Sequence, residues 1–154
     1  VEILLPYIQH LKDKIIWCPF DKEDSQFIQV LKENGFNVVY SHIEYGQDFF
    51  DYEPERRDVI ISNPPYKNKR MFWERCLNFR KPFALLLPIN ILSDSIINVT
   101  TKGREDEFSL LIPSRRTKFY NAKTGEVGKQ PTFKAAYFSV GVFEKQIILA
   151  DLGR

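Results

Sequence analysis

Cysteine, histidine and glycine are all scarce in this 154-residue chain, and each scarcity excludes something. Cys18 and Cys76 are its only cysteines. Two cysteines without a secretory context read as free thiols of a reducing compartment, not as a disulfide framework. With His10 and His42 the only histidines, a Cys- and His-rich metal site has too few ligands, and no metal is expected. No apolar run approaches the ~18 residues of a membrane helix. The opening residues Val1 to Pro6 lack the basic stretch and small-residue cleavage site of a secretory signal. The expectation is a cytoplasmic protein without membrane association. The chain opens on Val1, not Met, so a single domain over residues 1–154 with a trimmed N-terminus, or a fragment, is expected.

Charge is distributed unevenly. Residues 1–66 hold six Lys and Arg against twelve Asp and Glu, and residues 67–154 hold sixteen against eight. The second half either faces a polyanion or simply carries an uneven solvated surface.

Hydrophobic patterning divides the chain into strands alternating with helices. Apolar runs at 14–18, 37–41, 58–62 and 83–87 read as strands. The third is apolar along most of its length and should be buried on both faces. Helices are expected from Pro6 to about Asp13, from about Glu23 to Glu33 and from about Lys69 to Asn78, with Gly35 stopping the second. Residues 93–107 read as a helix with a polar loop. Two further strands, 108–112 and 135–143, flank a long basic loop and suggest an antiparallel pair. The fold class is therefore α/β, with a Rossmann-like open, mostly parallel sheet ending in an antiparallel hairpin. Such sheets bind ligands at the carboxyl ends of their strands.

The most informative segment is Ser62-Asn63-Pro64-Pro65-Tyr66, directly after the third strand. Two consecutive prolines cannot continue a central strand, since neither has an N–H for the ladder. They make a stiff turn that aims Asn63 and Tyr66. Asn offers an acceptor oxygen and two donors, and Tyr offers a flat face. With a freed backbone carbonyl they form a socket for a flat heterocycle bearing an amino group. A plain Pro-Pro turn is the alternative.

Asn63-Pro64-Pro65-Tyr66 resembles the motif of amino-methyltransferases that use S-adenosylmethionine, including the adenine-specific DNA enzymes. The resemblance implies that the Asn63 side-chain oxygen and the Pro64 carbonyl accept from the target amino group while Tyr66 stacks on a flipped base. Two acceptors aimed at the amino hydrogens favour the positive charge that develops as nitrogen attacks the methyl group. The resemblance further implies that Asp48, followed by Phe49, binds the cofactor's adenine amino group; an exposed acidic turn is the alternative. Leu85 to Asn90 resembles the strand after the family's catalytic helix and reads as core. Coverage runs over about residues 12–143, and only the tetrapeptide is specific.

One departure stands out. The family's loop after the first strand is glycine-rich, whereas here it reads Cys18-Pro19-Phe20-Asp21-Lys22-Glu23-Asp24-Ser25. Either Pro19, Phe20 and Asp21 line the cofactor differently, with Asp21 meeting its cationic end, or binding is weakened. Asp21 could equally only start the following helix. Glu44 is the expected ribose-binding acid after the second strand, and His42 an ordinary surface or packing residue.

For nucleic acid, DNA in preference to RNA, the candidate contacts are Lys67, Lys69 and Arg70 beside the motif and Arg115, Arg116 and Lys118 in the basic loop. Phe119 and Tyr120 follow, with Lys123, Lys129 and Lys134 beyond. Basic and aromatic residues interleaved suit phosphate contact with base stacking; a solvated hairpin is the bland alternative. No recognition domain fits in this length, so sequence specificity would come from a separate subunit, from missing parts, or be low. Two other readings remain: a methyltransferase for a protein amide, like the release-factor glutamine enzymes that share the turn, and a non-catalytic nucleic-acid-binding relic.

Overall fold

A computed structural model describes residues 1–116, 118, 124–128 and 134–151. Seven strands form one sheet: β1 (Ile15–Cys18), β2 (Asn37–Tyr40), β3 (Val59–Ser62), β4 (Phe83–Pro88), β5 (Phe108–Pro113), β6 (Ala135–Val140) and β7 (Ile147–Ala150). Their spatial order is β2-β1-β3-β4-β6-β5-β7. Pairs β1–β2, β1–β3, β3–β4 and β5–β7 are parallel, while β6 runs antiparallel to both β4 and β5. This is the open, mostly parallel α/β sheet with an antiparallel hairpin that the alternation implied.

Side chains along each strand point alternately to two faces. Ile16, Cys18, Ile61, Ala84, Leu86 and Tyr137 enter one core, with Leu4, Ile8, Ile28 and Leu31 packed over them. Trp17, Ile60, Phe83, Leu85, Leu87 and Phe138 enter the other, beneath Trp73, Cys76, Ile96 and Ile97. Helix α1 (Gln26–Glu33) therefore covers the first face. Helices α2 (Lys69–Asn78) and α3 (Ile96–Thr100) cover the second. Burial on both sides explains why β3 and β4 read as continuous apolar runs.

Several boundaries differ from expectation. The first segment is not an α-helix over 6–13 but two 3₁₀ stretches, Glu2–Tyr7 and Gln9–Leu11, interrupted at Ile8. Leu5, Ile8 and Leu11 are spaced by three, the 3₁₀ period, and Pro6 lies within the first stretch. Helix α1 starts at Gln26, three residues later than read, because Ser25 is the N-cap: its Oγ accepts from the Phe27 N–H at 3.2 Å. Residues 93–107 hold the end of a 3₁₀ stretch at Ile89–Ser93, the short α3 and a 3₁₀ turn at Glu105–Glu107. β6 stops at Val140, not Phe143, because Gly141 takes φ 80° and turns the chain over Pro82. The segment released by that turn returns as β7, an edge strand the patterning did not suggest. Among the described residues no helix is long and apolar enough to cross a membrane.

The connections position the site. From β1 the chain passes through α1 to β2, then returns past β1 to β3 on its other side. The carboxyl ends of β1 and β3 thus lie where the connections diverge, and a crevice opens at such a switch point. Asp58 holds the start of β3 against β1, its carboxylate accepting from the Ile15 N–H at 2.8 Å. The same edge carries the end of β5, which runs in the direction of β4.

Candidate functional site

A cavity of about 570 Å³ lies at the switch point. Pro19 and Phe20 enter it from the end of β1, and His42 and Ile43 from the end of β2. The loop before β3 contributes Asp48, Phe49 and Phe50, the turn after β3 contributes Asn63 to Tyr66, and Asn68 and Phe72 complete the lining. Four of the six residues proposed for the cofactor and all four of the motif therefore meet in one cavity.

The turn behaves as its prolines require. The β3–β4 ladder ends at Ser62 opposite Leu85. Pro64 is buried, Pro65 is exposed, and Asn63 and Tyr66 are half-buried at the cavity. Asn68 then takes a left-handed φ of 63° as the N-cap of α2, a conformation Asn tolerates better than most residues. Burial pushes the Tyr66 phenol up to about 12, so it stays neutral and presents a ring, not a charge.

An aromatic wall backs the cavity. The Phe20 ring lies 5.0 Å from Phe49 and 4.7 Å from Phe72, and Phe50 stacks on Phe72 at 5.2 Å. Phe49 also touches Trp17 at 5.5 Å, joining the wall to the core. Trp17 is fully buried and donates its indole N–H to Ser41 Oγ at 2.9 Å.

A clamp that the sequence did not reveal holds the Asp48 loop. Arg75 on α2 donates from Nε to the Phe49 carbonyl at 2.6 Å. The Arg57 and Arg75 guanidinium groups lie 4.5 and 4.7 Å from the centre of the Phe79 ring. Glu53 reaches both, at 3.0 Å from Arg57 and 3.7 Å from Arg75. Arginines on an aromatic face satisfy charge and stacking together. Asp48 itself closes a turn, Oδ1 accepting from the Phe50 N–H at 2.9 Å. Glu53–Arg57 and Arg75–Phe79 are local pairs four residues apart, and only folding brings residues 49–57 against residues 75–79.

Two expected cofactor residues are not among those lining the cavity. Glu44 forms an ion pair with Lys22, and its side chain is exposed. The residue that does line the cavity after β2 is His42, read from sequence as ordinary surface or packing. Asp21 is instead engaged by two serines, accepting from Ser25 Oγ at 2.7 Å and lying 3.4 Å from Ser62 Oγ. It thereby links the α1 cap to the residue preceding Asn63. Burial raises its pKa, partly offset by the Ser25 and Ser62 hydroxyls and by His42. Burial likewise raises Tyr137 and Cys18, two members of one core face, and the nearby charge of Asp21 adds to both.

The basic residues fall on the same edge of the sheet. Lys67 and Arg70 are exposed, Arg70 pairing with Glu74 at 2.8 Å, and Lys69 is half-buried. Arg115, Arg116 and Lys118 are exposed beyond the end of β5. Phe119, Tyr120, Lys123 and Lys129 lie outside the described residues. Among the described residues no three His, Cys, Asp or Glu side chains are grouped as a metal site.

No protein-family model matches the sequence, and no curated protein sequence matches it. Among solved structures the chain is similar to the tRNA (m1A58) methyltransferase TrmI from Aquifex aeolicus. The TM-score is 0.41 and the identity 15%, over 84% of this chain and 62% of that one. A likeness of this degree assigns no activity, so the functional reading stands on the cavity's own residues.

Proposed function

We propose that this protein transfers a methyl group from S-adenosylmethionine to the exocyclic amino group of adenine in nucleic acid, DNA in preference to RNA. The observation that supports it is the single cavity into which the Asn63–Tyr66 turn and Pro19, Phe20, Asp48 and Phe49 all open. The cavity fits the cofactor's chemistry. Its volume falls in the range of small-molecule sites, about 300–1,000 Å³. Its aromatic wall suits a planar base, and Asp48 supplies an acceptor for an amino group. The glycine-free loop is accommodated because Pro19 and Phe20 themselves form the wall.

Bound there, the cofactor supplies a methyl group on a cationic sulfur. The protein's part is orientation and electrostatics. Asn63 accepts from the target amino group through its side-chain oxygen, as Pro64 does through its carbonyl, which favours charge developing on the nitrogen. Tyr66 gives the base a neutral face to stack on. Arg115, Arg116, Lys118, Lys67, Lys69 and Arg70 follow phosphates along the cavity's edge of the sheet. Glu44 is engaged by Lys22, and Asp21 links Ser25 at the α1 cap to Ser62 before the turn.

Asn63→Ala tests the reading, with methyl transfer to adenine-containing DNA and RNA oligonucleotides as the assay. Turnover should fall by orders of magnitude while cofactor affinity stays within about twofold. Normal turnover in Asn63→Ala would refute the role of the turn. Methylation of neither nucleic acid by the native protein would refute the proposed acceptor.

A further inference from the structure

We infer that His42 reads a ribose hydroxyl of the nucleoside held in the cavity, donating a hydrogen bond from Nε2 in the position where a carboxylate would accept one. The inference rests on the cofactor reading above and adds a specificity residue to it.

Position comes first. In open α/β sheets that bind nucleosides, the ribose hydroxyls are held by an acidic residue some 20 residues beyond the first turn, near the end of the second strand. Ser41, His42 and Glu44 follow the end of β2, and neither Tyr40 nor Tyr45 on either side of them lines the cavity. Ser41 is buried, and its Oγ accepts from the Trp17 indole at 2.9 Å. Glu44 pairs with Lys22 and is not among the cavity-lining residues. His42 lines the cavity.

The backbone then determines what His42 offers. Its Nδ1 accepts from the Glu44 N–H at 3.1 Å, capping the 3₁₀ turn Ile43–Tyr45. A ring nitrogen that accepts carries no proton, so in the neutral imidazole the proton sits on Nε2. The Tyr45 ring packs edge-on against the imidazole, centroids 6.2 Å apart, and restrains its orientation. His42 thus lines the cavity with Nδ1 engaged by the backbone and Nε2 left as the ring's donor. A carboxylate accepts from two neighbouring hydroxyls; one N–H donates to one hydroxyl oxygen. The contribution is that of a single neutral hydrogen bond, about three- to tenfold in affinity.

The test uses the full chain and two probes, S-adenosylhomocysteine and its 2′,3′-dideoxyribose analogue, titrated calorimetrically. The native protein should bind the hydroxyl-bearing probe about three- to tenfold more tightly. His42→Ala should abolish that preference and leave affinity for the dideoxy probe within about twofold. Should His42→Ala fail to fold, His42→Asn carries the same comparison, because its side-chain oxygen can still cap the turn. Equal losses for both probes would mean a purely structural role and overturn the inference. So would a native protein indifferent to the hydroxyls. If the native protein binds neither probe at millimolar concentration, the cofactor reading itself fails and the inference with it.

Discussion

Removing the Asp48 carboxylate separates the loop-shaping role seen in the structure from the cofactor role proposed for the same side chain. Its Oδ1 accepts from the Phe50 N–H at 2.9 Å, which shapes the loop, and the residue also lines the cavity, where it would be the charged acceptor for the proposed cofactor's amino group. Asp48→Ala loses both roles. The turn bond is worth about 1 kcal/mol. In a domain of this size that corresponds to a fall of about 2–4 °C in melting temperature. Asp48→Asn keeps an oxygen for the Phe50 N–H and should melt close to the native protein. Both variants lose the charged acceptor, worth about 1.5–3 kcal/mol, or roughly 10- to 150-fold in S-adenosylmethionine affinity. In Asp48→Asn the amide places a donor opposite a donor, so its loss should be at least as large. The starting affinity is expected to be modest, on the order of tens to hundreds of micromolar, because the loop after β1 offers Pro19 and Phe20 where glycine would let backbone approach. Calorimetric titration with S-adenosylmethionine and parallel thermal melts read the two effects separately. Native affinity in Asp48→Asn would refute the assignment of Asp48 to the cofactor. A drop in affinity confined to Asp48→Ala would reduce Asp48 to a loop former.

Reversing Arg115 and Arg116 to Glu should weaken nucleic-acid binding across all sequences and lower its salt dependence; filter-binding titrations from low to high salt check this, and an unchanged salt slope would separate the two arginines from phosphate contact. Asp21 gives a prediction in pH. Its folded pKa is raised by burial, so the folded state holds the proton more tightly than the unfolded chain does. Its contribution to stability is therefore greatest below the unfolded value of about 4 and declines as pH rises towards the folded value. Asp21→Asn should become progressively more stable than the native protein across that window and hold a constant advantage above it, as read by urea unfolding at successive pH values. An advantage that did not grow with pH would show that the carboxylate is not penalised by burial. Phe49→Ala should destabilise by about 3–5 kcal/mol, because a ring that is 3% exposed leaves a cavity among Trp17, Phe20 and Phe72. A loss below about 1 kcal/mol in urea unfolding would contradict its place in the core.

The strands of the parallel half were legible because burial on both faces forces continuous apolar runs, as in Val59 to Ile61 and Phe83 to Leu87. β7 was not, since Ile147–Ala150 is a four-residue edge strand whose alternate side chains face outward. The first segment misled for a local reason: the spacing of three in Leu5, Ile8 and Leu11 satisfies part of a helical face and the 3₁₀ repeat equally, and the chain here forms two 3₁₀ stretches that bury Leu4, Ile8 and Leu11 against the sheet. At the site, Asn63 to Tyr66 could be read directly because their geometry is built into two adjacent proline rings. Asp48 followed from a resemblance. Glu44 was expected at the ribose because a carboxylate is chemically the better ribose ligand, and nothing local shows that it pairs with Lys22 while His42 lines the cavity.

By itself the sequence determined what depends on neighbours along the chain. That comprises the strand and helix alternation, the stiff acceptor turn after β3, the glycine-free loop after β1 and the concentration of positive charge in the second half. Only the tertiary structure decided which side chains share the crevice. The order β2-β1-β3 brings residues 19–20, 42–43, 48–50 and 63–66 to one cavity, though up to 47 positions separate them in the chain. It also decided that Arg57, Glu53 and Arg75 brace the loop, and that His42 lines the cavity while Glu44 pairs with Lys22. Ion pairs and ring contacts act over a few ångströms, and that distance is set by how strands cross over, not by how many residues lie between the partners.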